Sequence, residues 1–336
     1  MVLVTGAAGF IGSHVSGALL ARGQRVIGLD NFDGFYDRAL KERNVAEVRA
    51  GGAELFQLVE GDIRDEGLVR RVFEEHRPAG VIHLAARAGV RPSIADPVGY
   101  VDVNVRGTMV VLEAARRAGC GRAVVASSSS VYGNCPVAPF SEEMDVSAPI
   151  SPYAATKKAC ELIGHTHWHL TGMPTAMLRF FTVYGARQRP DLAIGLFLRK
   201  VAAGETIPVF GDGTSSRDYT YIDDIVAGVL AAYDRVPGFG YRVWNLGGSE
   251  PVSLARMIEV IGKVVRKTPR VERKSMQPGD VERTSADLAR AGKELGYSPR
   301  TGFEEGVRKQ WEWVKGTPPH FQQATLVEGP IGFFRL

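Results

Sequence analysis

The length, composition and charge of the chain are those of an ordinary globular protein. Its 336 residues are 45% hydrophobic and 23% charged, which excludes disorder as the default state. The net charge of +4 at pH 7 comes from lysines and arginines that are spread along the chain. The sequence therefore predicts tolerance of anionic ligands and no nucleic-acid partner.

The cysteines and the first residues of the chain indicate the cellular compartment to expect. Cys120, Cys135 and Cys160 stand far apart without metal-ligand spacing, which predicts neither a disulfide framework nor a zinc site. The chain enters an apolar strand pattern at Met1 without a basic leader, and no run approaches the roughly 20 apolar residues of a membrane span. We expect a cytoplasmic protein with reduced thiols, no membrane association and no bound metal.

Short apolar segments rich in β-branched residues alternate with amphipathic stretches along the chain. The predicted strands cover residues 1–5, 25–30, 55–60, 80–85, 123–128 and 175–181. Strands that alternate with helices are typical of repeated βαβ units, in which helices cover both faces of a parallel sheet. The pattern predicts an α/β protein with a doubly wound parallel sheet.

Two later regions interrupt this alternation. Residues 187–216 carry several glycines and prolines, and residues 251–300 mix helical patterns with polar loops. They predict a smaller α/β lobe that covers the substrate and is discontinuous in sequence. The predicted division is residues 1–178 with about 220–245 for the main domain, about 179–219 and 246–316 for the lobe, and 317–336 for a C-terminal extension that is disordered or contacts a dimer mate.

A glycine-rich turn follows the first predicted strand. Gly6, Gly9 and Gly12 stand in GAAGFIG, at the start of a predicted helix. Glycine lets the backbone approach a pyrophosphate closely, and a helix N-terminus offers unpaired N–H groups to that anion. The second predicted strand ends at Asp30, whose carboxylate can accept hydrogen bonds from an adenosine ribose and would repel a 2′-phosphate. Together these features predict a Rossmann-type site for NAD.

An acidic residue also follows the third predicted strand. Asp62, in EGDIRD, is placed to contact the adenine of a dinucleotide. An aspartate at this point could equally accept the first N–H groups of the following helix as its N-cap. Both roles remain open from the sequence.

A tyrosine and a lysine are spaced for acid–base chemistry. Tyr153 and Lys157 form YAATK on a helix predicted to begin after Pro152, and residues four apart share one helical face. A phenol loses its proton only near about pH 10, so a tyrosine base requires a cation that stabilises the phenolate. A surface pair with no function has the same spacing.

The context of the tyrosine favours the functional interpretation. A serine run, residues 127–130, ends the fifth predicted strand at the carboxyl edge, where open α/β sheets bind ligands. The hydroxyl of Ser128 could relay a proton between a substrate and Tyr153. The alternative is that Ser128 caps backbone groups at the end of the strand.

The motifs GAAGFIG, HLAA, SSSSVYG, YAATK and RDYTYIDD together resemble the extended short-chain dehydrogenase/reductase family, specifically its nucleotide-sugar epimerases and dehydratases. The resemblance spans about residues 2–315. Within the family, DNFDGFYD, AGVRPS, RFFTVYG leading into RPD, and MQPGDV resemble the UDP-glucuronate 4-epimerase branch. This resemblance implies a Rossmann-type fold and NAD as the cofactor.

The resemblance also implies residue roles. It makes Tyr153 the catalytic base, Lys157 its electrostatic partner and Ser128 the assisting hydroxyl. The NAD site that it implies comprises Gly6, Gly9, Phe10, Ile11, Gly12, Asp30, Asn31, Asp62, Ile63, Leu84, Ala85, Ala86, Asn104, Ser127, Tyr153 and Lys157.

The implied reaction is NAD-dependent epimerisation at C4 of a UDP-sugar through a transient 4-keto sugar. Related dehydratases place an Asp-Glu pair just ahead of the VYG motif, and related UDP-glucuronate decarboxylases place a glutamate there, whereas this chain has Ser129 and Ser130. We therefore expect epimerisation, with UDP-glucuronate favoured as substrate and UDP-galacturonate as product. The alternatives are UDP-glucose/UDP-galactose epimerisation, decarboxylation of UDP-glucuronate, and a non-catalytic NAD-binding regulator.

A sugar with a 6-carboxylate requires hydrogen-bond donors and positive charge near C6. Arg189 is one main candidate, because a guanidinium can bind both oxygens of a carboxylate. Thr182 is the other, because plain glucose/galactose epimerases usually have asparagine at this position. Arg189 could instead be an exposed loop charge, and Arg217 could pair with its neighbour Asp218. The predicted substrate-binding residues are Arg91, Ser129, Ser130, Thr182, Arg189, Arg217 for the diphosphate, and Asp280 for the uridine ribose.

Two long predicted helices, residues 100–118 and 153–170, carry apolar stripes. In the family such a pair forms a four-helix interface with a second copy, which predicts a homodimer; ordinary packing on the sheet is the alternative. The second helix also carries His165, His167 and His169. Only the outer two share a face and no carboxylates accompany them, so we expect no metal there.

Overall fold

A computed structural model of the protein describes residues 1–248, 250–275 and 283–317. The first part of the chain alternates strands and helices. Its elements are β1 (Val2–Thr5), α1 (Phe10–Ala21), β2 (Val26–Asp30), α2 (Arg38–Ala50), β3 (Phe56–Glu60), α3 (Glu66–His76), β4 (Gly80–His83), α4 (Val90–Ala95), α5 (Pro97–Tyr100), the π-helical stretch Val101–Arg106, α6 (Gly107–Arg117) and β5 (Ala123–Ser128).

The second part begins with the longest helix and continues through shorter strands. Its elements are α7 (Pro152–Thr171), β6 (Thr175–Phe180), β7 (Thr182–Tyr184), α8 (Ala193–Ala203), β8 (Thr206–Phe210), β9 (Ser216–Tyr221), α9 (Ile222–Arg235), β10 (Tyr241–Leu246), β11 (Pro251–Ser253), α10 (Leu254–Val265), β12 (Arg270–Lys274), α11 (Ala289–Leu295) and α12 (Phe303–Lys315).

Seven strands form one parallel sheet in the order β10-β6-β5-β4-β1-β2-β3. Each of the six strands predicted from the sequence is present within its predicted range, and the α/β fold with a doubly wound parallel sheet is confirmed. The seventh strand, β10, was not predicted. Its residues pair with β6, which extends the sheet by one strand at that edge.

Helices cover both faces of this sheet, as the near-continuous apolar strands require. Side chains alternate along β1, so that Val2 and Val4 pack with α1, α2 and α9, whereas Leu3 packs with α3, α6 and α7. The carboxyl ends of all seven strands consequently lie at one edge.

Helix α7 is well delimited by its sequence. Pro152 occupies its first position, where a missing N–H costs no hydrogen bond. The hydroxyl of Ser151 accepts the N–H of Ala154 at 3.2 Å, and Gly172 ends the helix in a left-handed conformation with φ of 74°. The helix therefore presents Tyr153 and Lys157 in its first two turns, close to the carboxyl edge of the sheet.

Smaller sheets lie beyond the main one. Strands β11, β9 and β7 form one sheet, and β12 pairs with β8. Helices α8, α10 and α12 contribute to a separate apolar cluster around Phe197, Met257 and Val307. The division into two domains stays a prediction. Asp280 and residues 318–336 lie outside the described part of the chain. Within that part, every helix is too short or too polar to span a membrane.

Candidate active site

A cavity of about 500 Å³ opens at the carboxyl ends of β1 to β6, the usual ligand site of an open α/β sheet. It brings together most of the residues that the sequence analysis singled out. The predicted residues among those that line it are Gly6, Gly9, Phe10, Ile11, Gly12, Asp30, Asn31, Asp62, Ile63, Leu84, Ala85, Ala86, Ser127, Ser128, Ser129, Ser130, Tyr153, Lys157, Thr182 and Arg189.

The turn between β1 and α1 has no room for side chains. A Cβ on Gly12 would lie 1.9 Å from the carbonyl oxygen of Gly6, and Gly6 itself has a φ of 69° and lies against the backbone of Ala85. Helix α1 follows Gly9, which has no side chain to cap it, so its first N–H groups are left for an anion. This turn fits the pyrophosphate of a dinucleotide.

The end of β2 supplies a buried carboxylate. Asp30 accepts the N–H of Ala8 at 3.0 Å and that of Phe32 at 2.9 Å. The ammonium of Lys41 lies 3.7 Å from Asp30 and 5.1 Å from the centre of the Tyr36 ring, and both Lys41 and Tyr36 line the cavity. The sequence analysis missed Lys41, because a lysine on an amphipathic helix carries no signal of a long-range contact.

Asp62 lines the same end of the cavity. The N-cap alternative for this residue is wrong, because Asp65 caps α3 by accepting the N–H of Leu68 at 2.9 Å. Asp62 instead accepts hydrogen bonds from the amide of Asn31 and from the guanidinium of Arg64. The hydrogen bonds from Arg64, together with that from Asn31, lower the pKa of Asp62 to about 2, so it is an anion at neutral pH.

The predicted catalytic residues share one wall of the cavity. Lys157 is buried and its ammonium donates to the carbonyl oxygen of Ala126 at 2.8 Å. The hydroxyl of Ser128 accepts the N–H of Ser130 and donates to its hydroxyl, both at 3.1 Å. Ser128 thus caps the turn that follows β5, as the alternative interpretation expected, and it also lines the cavity with Tyr153; its role as a proton relay stays a prediction.

Hydrogen bonds behind this wall fix the elements that carry it. The N–H of Tyr153 donates to the hydroxyl of Ser93 on α4 at 3.1 Å. His83, at the end of β4, lies between the hydroxyls of Thr5 at 2.7 Å and Thr108 at 3.1 Å. Burial lowers the pKa of His83 to about 3, so its imidazole is neutral and holds β1, β4 and α6 together.

A buried polar network lies directly beneath the serine run. Ser127 donates to Glu161 at 2.7 Å, and two hydrogen bonds of 2.8 Å join Glu161 to Arg179. Tyr132 accepts from Arg179 at 3.0 Å and donates to Asn245 at 2.8 Å. Burial acts to raise the pKa of Glu161, but the hydrogen bonds from Arg179 outweigh it and lower the pKa. The network joins β5, β6, β10 and α7, and the sequence analysis missed it.

Arg189 is mostly buried at the rim, so the alternative of an exposed loop charge is wrong: its side chain is 16% exposed. Its guanidinium donates to both carboxylate oxygens of Asp191, at 3.0 and 2.9 Å, and to the carbonyl oxygen of Ala88 at 3.2 Å. It also lies 4.8 Å from the centre of the Phe35 ring. Arg189 therefore faces the cavity as part of an ion pair.

Asn104, which was predicted to line the NAD site, lies behind the cavity wall. It is almost fully buried, and its amide donates to the carbonyl oxygen of Arg87 and to the hydroxyl of Thr156, both at 3.0 Å. Its carbonyl oxygen accepts the N–H of Arg87 at 2.8 Å. The structure thus places Asn104 as a support for the backbone that follows β4, because an amide so enclosed must satisfy its hydrogen bonds internally.

The remaining predicted substrate residues are not among the described residues that line the cavity. The guanidinium of Arg91 lies 5.1 Å from the centre of the Phe210 ring. Arg217 lies on β9, where it donates to the carbonyl oxygen of Ser216 at 3.0 Å. Asp280 falls outside the described residues. Within the described chain, no group of three or more histidine, cysteine or acidic side chains has the arrangement of a metal site.

The sequence and fold match one family. The family model described as GDP-mannose 4,6 dehydratase matches residues 3–310, and the chain belongs to this family of extended short-chain dehydrogenases/reductases. Two similar relatives are named UDP-glucuronate 4-epimerases. One, from Thermodesulfobacterium geofontis, is 41% identical over 93% of this chain and 95% of its own length. Another, UDP-glucuronate 4-epimerase 3 of Arabidopsis thaliana, is 44% identical over 94% of this chain and 76% of its own.

Solved structures agree with this assignment. UDP-glucuronic acid 4-epimerase from Bacillus cereus, solved with UDP-glucuronic acid and NAD, aligns with a TM-score of 0.87 at 35% identity, over 94% of this chain and 99% of that one. UDP-glucose 4-epimerase from Thermus thermophilus, solved with NAD, aligns with a TM-score of 0.85 at 32% identity, over 94% and 99%.

Proposed function

We propose that this protein is an NAD-dependent 4-epimerase that interconverts UDP-glucuronate and UDP-galacturonate. The observation that carries the proposal is that a single cavity contains both the glycine turn with Asp30 and the group Ser128, Tyr153 and Lys157. A dinucleotide and a sugar hydroxyl can therefore meet beside one phenol. The names of the relatives on both the sequence and the structure side support the same reaction.

The cofactor end of the cavity follows from the chemistry of its walls. The first N–H groups of α1 and the glycines of its turn receive the pyrophosphate, and Asp30 accepts hydrogen bonds from the adenosine ribose. Asn31 and Asp62, which are joined by a 2.9 Å hydrogen bond and line the same end of the cavity, would hold the adenine. NAD, when bound, accepts the hydride from C4 of the sugar and returns it.

The proton at C4 is handled by the opposite wall. Tyr153 takes the proton of the C4 hydroxyl as a phenolate, and the ammonium of Lys157, held by the carbonyl oxygen of Ala126, stabilises that anion. Ser128 relays the proton between the sugar and the phenol. The resulting 4-keto sugar then rotates in the cavity and receives the hydride on its other face. The reaction therefore has no net oxidation.

The neighbouring side chains favour epimerisation over elimination. Elimination of water requires an additional acid and base, and the two positions after Ser128 are serines in this chain. Ser129, Ser130 and Thr182 line the cavity as hydroxyl donors for the 6-carboxylate. An arginine has five N–H groups, and the contacts of Arg189 with Asp191 and Ala88 use three of them. The remaining two are free to bind the sugar carboxylate.

In the proposed substrate site Arg91 assists Ser129 and Ser130 at the 6-carboxylate, while Arg217 binds the diphosphate and Asp280 the uridine ribose. Asn104 supports the NAD site from behind the wall. We therefore assign binding of the cofactor to the main sheet and binding of the uridine diphosphate to the elements after β6.

We also propose a homodimer that forms through α5, α6 and α7. Val98, Met109, Leu162 and Leu170 lie on these helices, and each of these residues is more than half exposed. A symmetric pair of such faces would bury them against a second copy. The cysteines are free thiols, which suits a reducing compartment such as the cytoplasm.

The substrate assignment is tested by incubating the purified protein separately with UDP-glucuronate and UDP-glucose and separating the C4 epimers. The expected result is formation of UDP-galacturonate from UDP-glucuronate, with far slower turnover of the neutral sugar. Turnover of the neutral sugar alone would contradict the uronate assignment. A protein inert towards both sugars would instead support a non-catalytic NAD-binding role.

A further inference from the structure

The loop that joins β2 to α2, residues 31–37, contacts two other segments across the mouth of the cavity and is called the β2 loop. The guanidinium of Arg87, which follows β4, lies 3.7 Å from the carboxylate of Asp33 in the β2 loop. The guanidinium of Arg189 lies 4.8 Å from the centre of the Phe35 ring in the same loop. All four side chains line the cavity.

The position of these contacts follows from the order of the strands. In the main sheet β1 lies between β2 and β4, so β2 and β4 are separated by about 10 Å, two strand spacings. A contact between the β2 loop and the segment after β4 must cross over the end of β1. The glycine turn, where the pyrophosphate of a dinucleotide fits, lies at that end.

The β2 loop is shaped in advance for this contact. Asn31 accepts the N–H of Asp33 at 3.0 Å, and Asp33 in turn accepts the N–H of Phe35 at 3.0 Å through Oδ1. Its other oxygen, Oδ2, is the one that faces Arg87. Phe32 takes a left-handed φ of 51°. Asp33 therefore organises its own loop with one oxygen and reaches across the cavity with the other.

The arginine on the opposite side is also held in place. Asn104 binds the backbone N–H and carbonyl of Arg87 at 2.8 and 3.0 Å. Its guanidinium donates to Asp96 at 2.5 Å through Nη1, and Nη2 is the atom nearest Asp33. The backbone of Arg87 is thus fixed by Asn104, and its guanidinium lies between Asp96, which precedes α5, and Asp33 of the β2 loop.

We propose that the pairs Asp33–Arg87 and Phe35–Arg189 form a clasp that retains the dinucleotide in the cavity throughout turnover. An epimerase returns the hydride to the sugar in each cycle. Loss of the reduced cofactor while the keto sugar rotates would therefore end the cycle. This inference rests on the proposed function for the need to retain the cofactor. Asp33, Phe35 and Arg87 act as positioning residues, and the contact of Phe35 with Arg189 links retention to the substrate end.

The expected strength of each contact is modest. Asp33 and Arg87 are 32% and 30% exposed, and a partly exposed ion pair changes an equilibrium by up to about fivefold. A cation–π contact of the Phe35–Arg189 kind contributes a similar factor of about three to five. Loss of both contacts should therefore accelerate cofactor release by about tenfold or more.

The test uses the holoenzyme loaded with radiolabelled NAD and chased with excess unlabelled NAD. Asp33→Asn removes the charge but keeps the oxygen that accepts the N–H of Phe35, and Arg87→Met removes the cation but keeps the stem. We expect each to speed release of label by about three- to fivefold. The double variant that combines Asp33→Asn with Arg87→Met should release NAD no faster than either single variant, because both substitutions remove the same contact. Adding Phe35→Leu to Asp33→Asn should raise the rate further.

A matched control comes from the other partner of the same arginine. Asp96→Asn keeps the oxygen that accepts the N–H of Gly99 and removes the charge on the far side of Arg87, so its release rate should stay within about twofold of the wild type. Arg87→Lys should keep most of the retention. Wild-type rates in Asp33→Asn and Arg87→Met would overturn the clasp, as would equal acceleration by Asp96→Asn or by Arg87→Lys.

The release assay contains no substrate, so it separates the clasp from the proposed reaction. Faster release in a protein that epimerises no sugar would support the clasp and refute the proposed function. An active epimerase whose variants release NAD at the wild-type rate would support the proposed function and refute the clasp. During turnover, the clasp also predicts that Asp33→Asn accumulates free NADH, seen by its near-ultraviolet absorbance, together with loss of activity that added NAD restores.

Discussion

The two sides of the cavity are held by different kinds of contact. The wall that carries Tyr153 and Lys157 stands on a fully buried network, in which Glu161 and Arg179 are 2% and 3% exposed. The rim opposite relies on partly exposed side chains from loops, such as Asp33 and Arg87. The proposed catalytic residues thus stand on a rigid scaffold, whereas the proposed clasp on the dinucleotide consists of weaker, partly exposed contacts.

The sharpest way to test the rigid side is to remove its reactive atom. Tyr153→Phe keeps the ring, its edge-on contact with Tyr100 and the helix N-terminus, so the protein should fold normally. Loss of the general base should lower kcat by about 10³-fold, with little change in the affinity for NAD. The measurement is the initial rate of epimer formation. A variant that keeps more than about a tenth of the wild-type rate would show that Tyr153 is not the general base.

The buried pair beneath the wall should be costly to break. Glu161→Gln leaves Arg179 buried without its counter-ion, which should lower the free energy of unfolding by about 3–5 kcal/mol. Glu113→Gln is the matched control, because Glu113 pairs with Arg116 and Arg117 on the surface of α6, where such pairs contribute about 1 kcal/mol or less. Urea unfolding of both variants measures the contrast, and equal losses would contradict the distinction drawn between the two sites.

The rim should affect selectivity more than stability. Arg189→Met removes the two N–H groups left for the sugar carboxylate, and charged hydrogen bonds are worth about 1.5–3 kcal/mol. We expect kcat/KM for UDP-glucuronate to fall by about 10- to 100-fold while the affinity for UDP alone changes little. Steady-state kinetics and a UDP titration provide the readouts. An equal loss for both ligands would assign Arg189 to the diphosphate or to folding.

The smallest expected effect, when taken for a change of one pH unit, is a pH dependence of stability. The folded protein keeps His83 neutral down to about pH 3, because burial lowers its pKa, whereas a histidine in the unfolded chain takes up a proton below about pH 6.5. Between these values the unfolded state binds more protons, so stability falls as the pH falls, by up to about 1.4 kcal/mol per pH unit. Unfolding curves from about pH 6.5 to about pH 4 should be less steeply pH-dependent in His83→Gln, and identical slopes would contradict this.

The sequence predicted the parts of the molecule whose signals are local. Glycines spaced through one turn, an acid at the end of a strand and Tyr153 four residues before Lys157 are each defined by a few neighbouring positions. The parallel fold then brings them together, because all the strands end at one edge. Strand β10 was missed because its burial depends on β6 and on helices that are distant in sequence.

The contacts that were missed join distant positions. Lys41 meets Asp30, Arg179 meets Glu161, and Arg87 meets Asp33 only in the folded chain. Nothing in the sequence near any of these residues marks its partner. Asn104 shows the converse case, since its predicted place on the cavity wall ignored the backbone of Arg87, which lies in front of it.

The central claim is that a hydride leaves C4 of UDP-glucuronate and returns to the same carbon beside Tyr153. The most direct measurement uses UDP-glucuronate deuterated at C4, with mass spectrometry of the UDP-galacturonate that forms. The account predicts that the product keeps its deuterium in ordinary water through many turnovers. Replacement of the deuterium by solvent hydrogen at C4 would show that the bond breaks by proton loss, and the proposed mechanism would then be wrong.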